Sequence, residues 1–205
     1  MKVLITGFGR FPGAPANPTT SLATRLARAG RRHGLDCVAH VFATRYATVD
    51  RELPALIAAH RPDAILMFGL AGRRRHVCIE LVARNRKSLI FPDAGGTRPR
   101  RAAIAAEAPS RLRGRAPFSR LLGAARTTHV ATRFSRDAGK YLCNYIYWRA
   151  LEAAAQPDGP RQAVFIHVPP VGKLFRPRAR AKRRQFTPDQ LFRAGKAILL
   201  ALSRR

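Results

Sequence analysis

The stretch DAILMFG, Asp63–Gly69, carries the fold class. Its apolar run is unbroken from Ala64 to Phe68, with no polar side chain to face water. A half-buried strand would alternate and a surface helix would recur at 3.6-residue spacing. A short continuous run predicts a strand buried on both faces, the position of a parallel strand covered by helices on each side.

The segments around it alternate. KVLITGF reads as a first strand over Met1–Gly7. NPTTSLATRLARAGRRHG follows as a helix, opened by Pro18 and Thr19 and closed by Gly34. CVAHVFAT (Cys37–Thr44) is β-branched and strand-like. VDRELPALIAAHRP predicts a helix with Asp50 as N-cap, where Pro54 is tolerated near the start because first-turn N–H groups lack helical partners. Beyond the central run, HVCIELVARN (His76–Asn85) predicts one strand. Residues 93–119 are rich in Gly, Pro and Arg and predict a long loop with a short helix. TTHVATRF predicts a strand, Tyr141–Ala155 a helix, and AVFIHV (Ala163–Val168) a last strand stopped by Pro169 and Pro170. A closing helix starts at Thr187 with Pro188 in its first turn. The alternation predicts an α/β fold: a single-domain three-layer α/β/α sandwich around a mostly parallel, twisted mixed sheet, one domain over residues 1–205.

Composition bounds the setting. Hydrophobic residues make up 46% of the 205, which argues against disorder. No apolar run reaches the ~18 residues of a membrane span, and the N-terminus has only a short apolar burst, unlike a signal peptide. Three scattered cysteines (Cys37, Cys78, Cys143) are too few for a disulfide framework and suit a reducing cytoplasm. The net charge of +28 is abnormal: 39 basic residues stand against 11 acidic ones. Such a surface attracts nucleic acid or acidic lipid without a specific site. Most of the arginines are spread along the helices beside alanine, a pattern that coding bias also produces. The concentrated basic run is KLFRPRARAKRRQ (Lys173–Gln185), within a basic loop over 171–186 ahead of the closing helix. It reads more readily as a solvated loop than as a binding patch, since like charges in a row repel and stay exposed.

In open α/β sheets, functional groups collect beyond the carboxyl ends of the strands. The first strand ends in TGFGRFPG, the central one in GLAG, and the last on His167. Cys143 lies in SRDAGKYLCNYIYWRAL, where a small-residue turn enters a helix. Unpaired N–H groups at a helix start favour thiolate over a free thiol of pKa ~8.5 and donate to a developing oxyanion. A thiolate needs an imidazole to take and return its proton, and the imidazole needs a carboxylate to hold its tautomer. Glu80, alone among apolar neighbours in HVCIELVA, is the carboxylate inside a strand. Each residue also has a plainer reading. Cys143 could be a small buried hydrophobe, His167 a satisfied core histidine, Glu80 an edge-strand charge, and Phe8 and Phe11 packing under the first loop. Cys37, Cys78 and Trp148 read as core. Pro12 breaks any G-x-G-x-x-G pattern in Gly7–Gly13, and His76 with Cys78 lacks further ligands, so no cofactor or metal is expected.

Taken in order, TGFGRFPGAPANPT, GLAGRRRHVCIELVARN, SRDAGKYLCN and VFIHVP resemble pyroglutamyl-peptidase I, the pyrrolidone-carboxylate peptidase family of cysteine peptidases, over Met1 to about Pro170. Thr6, Gly7, Phe8, Phe11, Gly13, Asn17, Pro18 and Thr19 match the first motif. Glu80, Val82, Ala83 and Asn85 match the glutamate segment. Ala138, Gly139, Tyr141, Leu142, Cys143 and Asn144 match the nucleophile segment, and Phe165–Pro169 the histidine segment.

The resemblance implies removal of an N-terminal pyroglutamyl residue from peptides. Cys143 would be nucleophile, His167 proton carrier and Glu80 its orienting carboxylate. Phe8, Phe11, Asn17, Leu70 and Leu142 would line the substrate site. It also implies a cytoplasmic enzyme without metal or cofactor, often a homo-tetramer. Two positions depart from the family pattern: Leu70 stands where Gln is usual, and Ile90 where Arg is usual, beside the retained Pro92 and Asp93. Both leave open a related acyl-amide hydrolase of altered N-terminal specificity. The charge leaves open a basic nucleic-acid-binding protein on the same scaffold.

Overall fold

In the central run of the computed structural model, side chains alternate between two apolar cores. The model describes residues 1–11, 14, 16–172 and 186–204. The elements, in chain order, are β1 (Lys2–Phe8), α1 (Pro18–Arg32), β2 (Asp36–Phe42), α2 (Tyr46–His60), β3 (Ala64–Leu70), β4 (Val77–Glu80), β5 (Val82–Arg84), β6 (Arg111–Arg113), α3 (Phe118–Arg126), β7 (Thr132–Ser135), α4 (Leu142–Ala154), β8 (Gln162–Val168) and α5 (Pro188–Ser203).

Six strands form one sheet in the order β2-β1-β3-β8-β4-β7, with every pairing parallel except β4 against β8. Strand period decides which side each residue serves. Ala64, Leu66 and Phe68 of β3 enter the core beneath α1, α3 and α5, while Ile65 and Met67 enter the core beneath α2 and α4. β8 follows suit: Val164, Ile166 and Val168 join the first core, Ala163 and Phe165 the second. His167, two residues on from Phe165, therefore looks toward the α2/α4 side. This is the mixed α/β/α sandwich that the alternation predicts.

Local signals place most boundaries. Thr187 accepts from the Gln190 N–H while the Gln190 side chain accepts from the Thr187 N–H, a complete capping box with Pro188 in the first turn. Asn17 caps α1 through the Thr19 N–H at 3.1 Å.

Four expectations are corrected. Asp50 is not the cap of α2, which starts a turn earlier at Tyr46; Asp93, 47 residues away, accepts the Tyr46 N–H instead. Pro54 consequently lies inside α2 rather than in its first turn. His76–Asn85 is not one strand. At Leu81 the chain leaves the sheet, its N–H bonded to the Ser135 carbonyl and its carbonyl to the Gly114 N–H, and β5 pairs with β6 in a separate hairpin. Asn144 then grips the Arg84 backbone through both ends of its amide, at 2.8 and 2.7 Å. TTHVATRF is strand only from Thr132 on: Thr127–His129 form a turn, in which His129 takes a left-handed φ of 58°. Of the expected basic loop, Lys173–Gln185 lies outside the described residues; its flanks meet where Val171 bridges Phe186.

No helix among the described residues is long and apolar enough to cross a membrane.

Candidate active site

Cys143 is the second residue of α4. Tyr141, at the N-cap position, makes no side-chain bond to the first turn, and Tyr145 donates the first helical hydrogen bond back to Tyr141. The N–H groups of Leu142, Cys143 and Asn144 therefore have no carbonyl one turn back to bond, as at any helix start. The sulfur lies against β3: a Cβ added to Gly69 would come within 2.7 Å of it and 2.6 Å of the Phe165 ring. Glycine at 69 is thus what lets the helix start approach the sheet.

His167, one residue from the end of β8, is 5% exposed, and its Nδ1 is 2.7 Å from Glu80 Oε1. The pairing is a diagonal of the antiparallel ladder, since Glu80 lies opposite Phe165 and Cys78 opposite His167. Glu80 is not an edge-strand charge, because β4 lies between β8 and β7. It is fully buried, which would raise its carboxyl. The His167 hydrogen bond, backed by Arg74, outweighs burial and holds the pKa below its ordinary value. An ionised Glu80 can only accept, so the proton on this contact belongs to Nδ1, and Nε2 is the ring nitrogen left for proton exchange.

Arg74 is the member that sequence reasoning missed. Its Nη1 donates to the same Oε1 at 2.8 Å, and its Nη2 donates to the Asp137 carbonyl in the turn before α4. One guanidinium thereby joins the loop after β3, the carboxylate of β4 and the segment that delivers Cys143. In RRRH the three arginines are indistinguishable by pattern. The signal available was chemical, since a carboxylate buried in a strand calls for a permanent cation as well as an imidazole. Glu80 Oε2 has no hydrogen-bond partner among the described residues.

The thiol departs from expectation. Burial pushes Cys143 up to about 12, and the Glu80 charge pushes the same way. Arg74 and the Cys143 amide pull down but lose. The helix-start effect is present and outweighed.

Cys143 and His167 share a cavity of about 490 Å³ with Phe8, Phe11, Asn17, Leu70 and Leu142, so the residues predicted for the site converge, Glu80 standing behind the imidazole. Gly13, part of the first motif, lies outside the described residues. The wall is largely aromatic and aliphatic, and no Asp or Glu lines it among the described residues. Its polar members are mostly engaged elsewhere. The Asn17 amide donates to the Gly9 carbonyl and accepts from Thr19, and the Tyr141 hydroxyl donates to the Pro92 carbonyl. Ile90 is 73% exposed and stands outside the cavity, while its neighbour Phe91 reaches the rim. Thr44, Arg73 and Tyr141 also line it, unpredicted.

Three comparisons bear on this arrangement. A family model described as pyroglutamyl peptidase matches residues 1–181. The pyrrolidone-carboxylate peptidase of Thermococcus kodakarensis is 32% identical over 169 residues, 82% of this chain and 81% of that protein. That of Gloeobacter violaceus is 31% identical, covering 82% of each. Among solved structures, a mutant pyrrolidone carboxyl peptidase from Pyrococcus furiosus superposes with a TM-score of 0.88 at 25% identity, over 98% of each chain. Pyroglutamyl peptidase I from Bacillus amyloliquefaciens does so with a TM-score of 0.89 at 24% identity, over 100% of this chain and 95% of that one.

Proposed function

This chain belongs to the pyroglutamyl peptidase family, and from that premise we propose that it is a cysteine peptidase that removes N-terminal pyroglutamate from peptides through Cys143, His167 and Glu80. The observation that carries the assignment of roles is the 2.7 Å contact between His167 Nδ1 and a buried, ionised Glu80, on an imidazole that lines one cavity with the Cys143 sulfur.

The chemistry follows from that contact. The substrate carbonyl enters between the sulfur and the first turn of α4. As the S–C bond forms, the thiol proton passes to His167 Nε2, and the carbonyl oxygen becomes an oxyanion facing the unpaired N–H groups of α4. Each such donor is worth about 2.7–4 kcal/mol in comparable acyl-transfer sites. Glu80 stabilises the resulting imidazolium without taking its proton. The imidazolium then protonates the leaving amine as the C–N bond breaks. Water, deprotonated by the same Nε2, hydrolyses the thioester, and the thiol is restored. Phe8 and Phe11 offer flat faces to a flat lactam ring.

The test is hydrolysis of a pyroglutamyl–fluorophore amide. The wild type should turn it over, and Cys143→Ala should lower kcat by at least about 10³-fold. Equal silence of both would overturn the reading.

One observation favours a second reading, in which the same trio acts on a less polar N-acyl group. Leu70 presents methyl groups to the cavity, and the Asn17 amide is already committed. A cyclopentanecarbonyl amide, which keeps the ring and lacks its polar atoms, separates the two. Turnover of that amide above the pyroglutamyl one supports the altered specificity.

A further inference from the structure

The three helices on the side of the sheet away from the Cys143 cavity are nearly free of acid. α1, α3 and α5 carry Arg25, Arg28, Arg31, Arg32, Arg120, Arg126, Arg193 and Lys196 against a single carboxylate, Asp189. The two helices of the other layer, α2 and α4, carry Arg51 and Arg149 against Asp50, Glu52 and Glu152. The seven arginines of the first layer are exposed. The one carboxylate is engaged: Asp189 lies 2.7 Å from Arg25, whose guanidinium stacks over Phe192 at 4.5 Å. Asp36, just beyond α1, is held by Lys2 at 3.4 Å. Bias toward arginine codons would load both layers alike, and it does not account for a sorting of acids by face.

We propose that the surface of α1, α3 and α5 is a binding face for the phosphate backbone of nucleic acid. Arg25, Arg28 and Arg32 fall at i, i+3 and i+7 and form a stripe along α1. At 1.5 Å per residue the stripe spans about 10 Å, roughly three phosphate spacings of one strand. The guanidinium fork bonds phosphate oxygens bidentately, and neutralised phosphates release counterions. An anionic membrane fits less well. Surface-lying helices insert large apolar side chains, and the exposed ones among the described residues (Met1, Leu89, Ile90, Phe91 and Phe134) are not on these helices. The face reads no bases, so the binding is independent of sequence.

The experiment titrates the full chain against a labelled random-sequence DNA duplex between about 50 and about 200 mM salt. Two paired variants are compared, Arg28→Glu with Arg193→Glu on the proposed face and Arg51→Glu with Arg61→Glu on and beside α2. Each pair takes the net charge from +28 to +24, so bulk charge is matched. Melting by circular dichroism and hydrolysis of the pyroglutamyl amide monitor the fold separately. The first pair should weaken binding at low salt by at least about tenfold and reduce the slope of log affinity against log salt by about 2, the second pair by less than about twofold in affinity. Equal losses in both pairs would overturn the proposal, as would wild-type binding without salt dependence. Adsorption to phosphatidylserine vesicles with no binding to DNA would reassign the face to membrane.

Discussion

The two sides of the sheet handle charge in opposite ways. On the α2/α4 side, buried Glu80 and His167 and the half-buried Arg74 meet around one oxygen, and Asp50 and Glu152 are met by Arg149 at 3.3 and 3.0 Å. On the α1/α3/α5 side, cations stand in water and rest on a core that is apolar throughout. Pairing inside a low-dielectric wall fixes geometry, because each charge there has one place to go. Charge exposed to water fixes less geometry and acts at a distance. One layer suits positioning a reaction and the other suits attracting a polyanion.

The comparison breaks most visibly at Glu80. Glu80→Gln keeps the shape and removes the charge that selects the Nδ1–H tautomer, so kcat should fall by about 10³–10⁴, with KM far less changed. An unchanged kcat, measured with the pyroglutamyl amide, would mean that Glu80 serves only the fold.

Arg74→Met comes next. It leaves Glu80 buried without its permanent cation, and the expected cost is about 3–5 kcal/mol of stability, read by denaturant unfolding. The pH dependence has a defined sign. A carboxyl whose folded pKa lies below its ordinary 4.5 contributes stability that is complete above that value. The contribution drains as pH falls through the lower folded pKa. Arg74→Met should shrink this acid-side loss, since the depression it supports is smaller.

Two finer measurements sharpen the contrast. Leu70→Gln returns an amide to the cavity wall and should raise the preference for pyroglutamyl over cyclopentanecarbonyl amide by about tenfold, the scale of one or two net hydrogen bonds. With the thiol pushed up to about 12, alkylation of Cys143 by iodoacetamide should be slower than that of a free cysteine at neutral pH and climb through the alkaline range. A plateau reached near neutrality would show that the helix start outweighs burial.

Legibility in the sequence tracked the range of the interaction concerned. The cap of α5 is complete within four residues, Thr187 to Gln190, and was readable. The α2 start was misread because its cap, Asp93, arrives from the far side of a loop. Leu81 looked like mid-strand because its apolar neighbours say nothing of Asn144, which draws Arg84 off the sheet. The residue types of the candidate site were readable from motifs in order, but Arg74 was not, since its role depends on which carboxylate lies within its reach.

The sequence by itself determined the succession of strands and helices, because periodicity and caps act over a few residues. It also determined that a thiol begins one helix and an imidazole ends one strand. Tertiary structure alone decided that these share a side with Glu80, 87 residues from His167, and that the helices poorest in acid share the other. Strand order and the two-residue alternation of each strand assign every side chain to a face, and both emerge only when the whole sheet closes its hydrogen bonds.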